Sequence, residues 1–437
     1  MSLSWVSPHE LRRWLADGHE LALIDVREQA AHAHDGHPLL SVSLPWRDIA
    51  THAPALVSGK GTRIVLFDAG DASSTYHAAE ALAGLGYRNV WVLEGGAKAW
   101  HETGHELFSG TNVFSKVFGE VVLQACHTPH IDAAQFRALA QAGPVVLIDS
   151  RPAEEYERMH IAGALHCPAA ELPLRIDELA PDPTVPVVVT CAGRTRGIIG
   201  TQALRNARVP RDVRVLDNGT MGWLLDGQAL VHGVAAPATA APSPAAREQA
   251  RARSAALAAR YGLSVIDADA LADFQHDPDR TLYLFDVRTP TEYAAGHLPG
   301  AASAPGTQLV MFLEDFVGTR NARVVLVDGP EASRAAITGS WLQQMGWAEV
   351  HLLPLREALF TATGTPPASP GPSGARWISP YLLPDDAQRR QGFQDYLQWS
   401  AGLVAQYERD GTHRFRIPAG PLQRLADRPV STEEALP

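Results

Sequence analysis

Cysteine is scarce in this chain: three residues in 437, Cys126, Cys167 and Cys191. An odd and low count does not make a disulfide framework and suits a reducing cytoplasm. No stretch reaches about 18 uninterrupted apolar residues, so no transmembrane helix and no membrane partner are expected. The start, Met1-Ser2-Leu3-Ser4-Trp5, has no basic region followed by a long apolar run, so no signal peptide is expected. Positive charge is also short. Asp and Glu number 48 against 37 Lys and Arg, a net charge of −11, which argues against a general nucleic-acid binder. The 18 histidines lack metal-ligand spacing except for His32, His34 and His37, which read as an exposed loop. No metal site is therefore expected.

What is present begins with Cys191. It follows the apolar run Val187-Val188-Val189-Thr190 and opens the segment Ala192-Gly193-Arg194-Thr195-Arg196-Gly197. The β-branched run predicts a buried strand, and Ile198 to Asn206 predicts a helix. A lone thiol thus sits between a strand's end and a helix's start. Ligands of open α/β sheets collect at that end of the strands, and a helix N-terminus offers unpaired N–H groups. With two arginines beside it, the thiol is expected to have a lowered pKa and to act as a nucleophile.

At 437 residues the chain predicts about three domains, and it repeats itself three times. Leu23-Ile24-Asp25-Val26-Arg27, Leu147-Ile148-Asp149-Ser150-Arg151 and Leu284-Phe285-Asp286-Val287-Arg288 share an apolar strand ending in Asp-x-Arg. A His-containing turn follows each, at His37, His160 and His297. A second strand then ends at Asp68, Cys191 or Asp328, which lie 43, 42 and 42 residues beyond the first Asp of each unit. Asp68 and Asp328 therefore stand where Cys191 stands, and are expected to cap the following helix. Strands alternating with helices predict parallel sheets covered on both faces. The expected layout is a first unit over 1–108, a second over 120–235, a linker over 236–256, a third unit over 257–362 and a helical tail over 375–437. Arg247 to Arg260 reads as a helix leading into the third unit. Phe393 to Tyr407 reads as an amphipathic helix without visible chemistry, packed back on a domain or across a homodimer.

All three units, roughly 1–362, resemble the rhodanese (sulfurtransferase) superfamily, most specifically the second. The resemblance rests on Asp149-x-Arg151 with Glu155-Tyr156, on His160-Ile161-Ala162-Gly163-Ala164, and on a cysteine loop after a strand. Asn218-Gly219-Thr220-Met221-Gly222-Trp223 resembles the superfamily's Gly-Gly-x-x-x-Trp ending. Met159 departs from the usual Gly before the motif His, and the superfamily's two-domain thiosulfate enzymes often carry an Arg near the position of Glu155. The resemblance implies tandem α/β domains, each with a parallel five-stranded sheet flanked by helices. It also implies a cysteine that carries sulfur as a persulfide, in a second unit that is active between two that are inactive.

On this reading Cys191 attacks the outer sulfur of a small anionic donor such as thiosulfate. Residues 192 to 197 bind the anion, with Arg194 and Arg196 as forks for the leaving sulfite and the glycines permitting a curled loop. A thiol or cyanide, or a protein, then accepts the sulfur, an exchange that requires no metal or organic cofactor. Asp149, Arg151 and His160 are expected to be structural, and Cys167 a packed or surface thiol whose alternative is a resolving role. A sulfur carrier or scaffold serving a protein partner is the second reading. Cysteine phosphatases and arsenate reductases are less compatible, because four residues lie between Cys191 and Arg196 where phosphatases of similar fold use Cys-x5-Arg.

Overall fold

A computed structural model describes residues 3–237, 241–365 and 379–418. It contains three five-stranded sheets, and every strand pair within them is parallel. The first sheet is built from β1 (Ser4–Val6), β2 (Leu21–Asp25), β3 (Val42–Ser43), β4 (Arg63–Phe67) and β5 (Val90–Leu93). The second uses β6 (His130–Ile131), β7 (Val146–Asp149), β8 (Leu165–His166), β9 (Val187–Thr190) and β10 (Val213–Leu216). The third uses β11 (Ser264–Val265), β12 (Leu282–Asp286), β13 (Ala302–Ser303), β14 (Arg323–Asp328) and β15 (Val350–Pro354). The order is the same each time: first, fifth, fourth, second, third. The central strands are buried along nearly their whole length, as parallel strands covered by helices must be.

Register makes the repeat exact at the residue level. Asp25 pairs with Phe67, Asp149 with Thr190 and Asp286 with Val327. The next residue is therefore Asp68, Cys191 or Asp328, at the same carboxyl edge of the same strand.

Three helices outside the sheets hold the units together. The first, Val113–Ala125, lies between the first and second sheets, and the expected start of the second unit at about 120 falls inside it. Its apolar residues recur as Val113-Phe114, Val117-Phe118 and Val121-Val122, a helical period. It is enclosed so fully that Ser115, Lys116 and Glu120 are buried too. The second, Pro244–Tyr261, starts three residues before the expected Arg247, because Ser243 caps it and Pro244 fits its first turn. Most of the expected linker is thus this helix. Ala246, Ala250, Ser254, Leu257 and Ala258 form its buried face, and Arg253 bonds Asp177 and the Pro173 carbonyl of the second unit.

The third, Asp386–Asp410, contains the expected Phe393–Tyr407 helix and packs back on its own chain. Arg390 bonds the Leu224 and Leu225 carbonyls in the second unit. Arg409 and Gln406 reach Glu106. After the helix, Arg12 of the first unit bonds the Gly411 carbonyl, and the Arg416 amide bonds Gln344 of the third. The first and third units also meet directly, through Glu20 with Arg280, Thr62 with Thr281, and Tyr283 with the Leu56 carbonyl. Residues 238–240 of the linker, and residues 375–378 and 419–437 of the expected tail, lie outside the described residues.

Candidate active site

The Asp-x-Arg motif closes the same contact in each unit. Arg151 bonds both carboxylate oxygens of Asp149, at 2.9 and 2.6 Å, and the Met159 carbonyl at 2.5 Å. Arg27 and Arg288 do likewise, on the Gly36 and Gly296 carbonyls. The pair thus pins the turn before the motif histidine to the strand's end. His160 bonds the Tyr156 carbonyl at 2.9 Å and stacks on the Tyr156 ring at 3.8 Å. His297 repeats this on Tyr293. In the first unit His37 stacks on His32, which stands in for the tyrosine. His32 and His37 are buried rather than in an exposed loop, because His32 also bonds Asp25. No cluster of metal-ligating residues occurs among the described residues.

Cys191 leaves β9 into a loop whose backbone is held from two sides. The Thr220 amide bonds the Cys191 carbonyl at 2.9 Å, and the Met221 amide bonds the Ala192 carbonyl at 3.0 Å. This contact needs glycine at 219. Its φ is +52°, and a Cβ there would lie 2.2 Å from the Cys191 carbonyl oxygen. On the inner side the amides of Gly193 and Gly197 are directed at the thiol. Helix Thr195–Asn206 begins at once, and Thr195 packs against Gly119 of the inter-domain helix.

The two arginines are not open anion forks. Arg194 is held by Glu120, at 2.5 and 2.8 Å, and by Asn218 at 2.9 Å. Arg196 is held by Glu155 at 2.5 and 2.8 Å. Both charges are therefore matched by carboxylates. Burial works against the Arg196 charge, and Glu155 outweighs it, so the guanidinium stays firmly protonated. Arg196 is the one whose field reaches Cys191.

The expected lowered thiol pKa is also corrected. Cys191 is 2% exposed. Burial pushes its thiol up from 9.0; Arg196 and the amides of Gly197 and Gly193 pull it down without overcoming the burial. Burial likewise raises the Cys167 thiol well above its ordinary value, as Cys167 lies in the apolar core. Cys126 ends the inter-domain helix, half-buried, and its thiol is raised for the same reason.

The C-terminal segment, for which the sequence showed no chemistry, lies against the Cys191 loop. The Tyr381 hydroxyl donates to the Ala192 carbonyl at 2.9 Å and lies 2.7 Å from Thr220 Oγ1. The Tyr396 ring lies over Gly193: a Cβ added there would be 3.1 Å from Tyr396 Cε1. Ser400 donates to Glu120 at 2.8 Å. Burial raises the pKa of both phenols, which stay protonated. Four residues of the site thus come from the inter-domain helix and the C-terminal segment: Glu120, Tyr381, Tyr396 and Ser400.

In the other two units a carboxylate occupies the corresponding place. Asp68 Oδ1 accepts from the Gly70 and Ala72 amides. Asp328 accepts from the Gly329, Arg334 and Ala335 amides, and from the Arg334 guanidinium. Arg334 also pairs with Glu292, as Arg196 does with Glu155.

These sheets and loops define a tandem α/β protein with one cysteine loop and two aspartate loops at equivalent places. The chain belongs to the Rhodanese-like domain family, whose profile matches residues 7–103, 132–226 and 267–354. It is similar along nearly its whole length to a solved structure, the thiosulfate sulfurtransferase from Pseudomonas aeruginosa. The identity is 35% and the TM-score 0.87, covering 95% of this chain and 100% of that one. An HTH-type transcriptional regulator of Mycobacterium tuberculosis is 40% identical over 98 residues, which are 22% of this chain and 42% of the regulator. The chain thus spans less than half of that relative's length. Among the described residues no helix is long and apolar enough to cross a membrane.

Proposed function

We propose that the protein is a sulfurtransferase that moves sulfane sulfur through a persulfide on Cys191, with the first and third units catalytically silent. One observation carries this reading. At equivalent register each loop directs backbone amides at the residue that follows its strand pairing, a carboxylate in two units and the Cys191 thiol in the third. An amide nest that suits a carboxylate also suits a thiolate and the terminal sulfur of a persulfide. The similarity to a thiosulfate sulfurtransferase over the full chain supports the same class.

The thiolate of Cys191 attacks the outer sulfur of thiosulfate. A new S–S bond forms, the donor's S–S bond breaks, and its electron pair leaves on sulfite. Cyanide or a thiolate then attacks the outer sulfur of the persulfide and restores the Cys191 thiolate. Gly193 and Gly197 stabilise both anions, and Arg196 supplies the nearest full positive charge, with its orientation fixed by Glu155. Arg194 acts at one remove, tying the loop to Glu120 and Asn218. Asp68 and Asp328 have no sulfur to exchange.

The test is intact-protein mass spectrometry after thiosulfate, on the wild type and Cys191→Ser. A gain of about 32 Da on the wild type alone, one sulfur atom held covalently, that cyanide removes as thiocyanate is the expected result. No adduct from thiosulfate or from any other small persulfide donor would sink the reading.

A further inference from the structure

The two amides that face the Cys191 sulfur, those of Gly193 and Gly197, are held in different ways. Gly197 lies in the first turn of the helix Thr195–Asn206, so the helix fixes its N–H. Gly193 lies in the loop before that helix, where no regular element orients it. Its N–H shares a planar peptide with the Ala192 carbonyl, and in a trans peptide the two point in opposite directions. Whatever holds the carbonyl therefore aims the amide. The Ala192 oxygen has three partners: the Met221 amide at 3.0 Å, the Tyr381 hydroxyl at 2.9 Å and Thr220 Oγ1 at 3.2 Å. The two hydroxyls lie 2.7 Å apart, so their protons are shared between each other and the carbonyl. Tyr381 alone of the three comes from outside the second unit. It sits on the turn Pro380–Leu382, which rests on the helix Asp386–Asp410: its ring packs on Phe393 at 4.8 Å, and Gly392 gives Pro380 room. In the other units the Ala97 and Leu355 amides meet the Asp68 and Asp328 carbonyls, as Thr220 meets Cys191. Yet among the described residues no donor from outside the loop reaches Ala69 or Gly329, the counterparts of Ala192. The clamp on that second carbonyl accompanies the thiol.

We propose that Tyr381 is a positioning residue for Cys191: its hydroxyl holds the Ala192–Gly193 peptide in the orientation that aims the Gly193 N–H at the sulfur. Donation to the carbonyl also polarises the peptide and strengthens that N–H as a donor. Without the hydroxyl the peptide is freer to turn, and the thiolate loses part of the field that favours it. The C-terminal segment thus tunes the nucleophile from one peptide away. The consequence for the persulfide rests on the sulfurtransferase reading above; the effect on the thiolate does not.

The test is the pH profile of iodoacetamide alkylation in the full chain, with Cys191 scored apart from Cys126 and Cys167 by peptide mass spectrometry. In Tyr381→Phe the profile is expected to lie at higher pH than in the wild type. At about pH 8, on the rising limb, the rate falls about fivefold, the factor carried by one net hydrogen bond. Thr220→Val moves the profile in the same direction and serves if the phenylalanine variant does not fold. The double variant moves it by more than the two single shifts together, because either hydroxyl can reach the carbonyl when the other is gone. Gln406→Ala, which cuts a tie of the same helix to Glu106 and the Leu107 carbonyl, leaves the profile in place. A profile that Tyr381→Phe and the double variant do not displace overturns the proposal. So does an equal displacement in Gln406→Ala, which would make the effect a loosening of the whole segment, or a rate that rises at every pH, which would make the phenol a mere cover. A displaced profile in a protein that no donor loads with sulfur sinks the sulfurtransferase reading and leaves the role of Tyr381 standing.

Discussion

Asp25 shows how much a single buried carboxylate is asked to do. Burial alone would raise its pKa, but bonds from Arg27 and His32 hold it down at about 2, against an ordinary 3.8. A depressed carboxylate contributes stability that is fully present above pH 3.8 and is lost as pH falls through about 2. The contribution is about 2 kcal/mol. Denaturant midpoints measured between pH 5 and pH 2 are expected to fall for the wild type and to fall less steeply for Asp25→Asn. Cys191 predicts the opposite sense of titration. Its thiol is raised, so the rate of iodoacetamide alkylation should still be climbing at pH 9, with its midpoint above 9.0. A midpoint below that value would mean that Arg196 and the loop amides outweigh burial. The thiol itself was legible in the sequence, because a cysteine after a β-branched run and before two glycines has few structural explanations. The state of its neighbours was not. Arg194 and Arg196 read as free charges because Glu120 and Glu155 lie 74 and 41 residues from them in sequence.

At the scale of elements, the strands β2, β4 and β5 and their counterparts were legible from apolar runs at a constant spacing. The short edge strands, two or three residues each, carried no such signal. The inter-domain helix Val113–Ala125 does carry a helical period, but its three buried polar residues break the usual apolar face. Its Glu120 is 3% exposed and serves both Arg194 and Ser400. Glu120→Ala leaves Arg194 in a largely buried position without its carboxylate, and is expected to cost about 3 kcal/mol in unfolding free energy. Chemical denaturation of the variant checks this, and a loss below about 1 kcal/mol, the value of an exposed pair, would contradict it. Gly219 sets a second limit. Gly219→Ala places a Cβ on the Cys191 carbonyl at a positive φ, so the loop must shift. Sulfur loading should be lost in this variant more than in Gly227→Ala, where φ is also positive and the space is open.

For the whole molecule, three similar units were legible from the repeats, and their assembly was not. The ties between units run from the first to the third at Glu20–Arg280, from the third to the second at Arg334–Glu171, and from the tail to all three. Each involves residues that look like ordinary surface charges within their own unit. Such cross-links predict one cooperative thermal transition by calorimetry rather than three separable ones. Three resolved transitions would mean that the units fold and melt alone.

The two aspartate-filled nests also bear on oxidative damage. A carboxylate is already at the end of the chemistry open to it in water, so peroxide and electrophiles find nothing to convert at Asp68 or Asp328. On the proposed reading, a chain carries at most one transferable sulfur at its three equivalent positions. Its vulnerability to irreversible oxidation has the same count: one sealed thiol, with no spare copy in the neighbouring units to take over once it is spent.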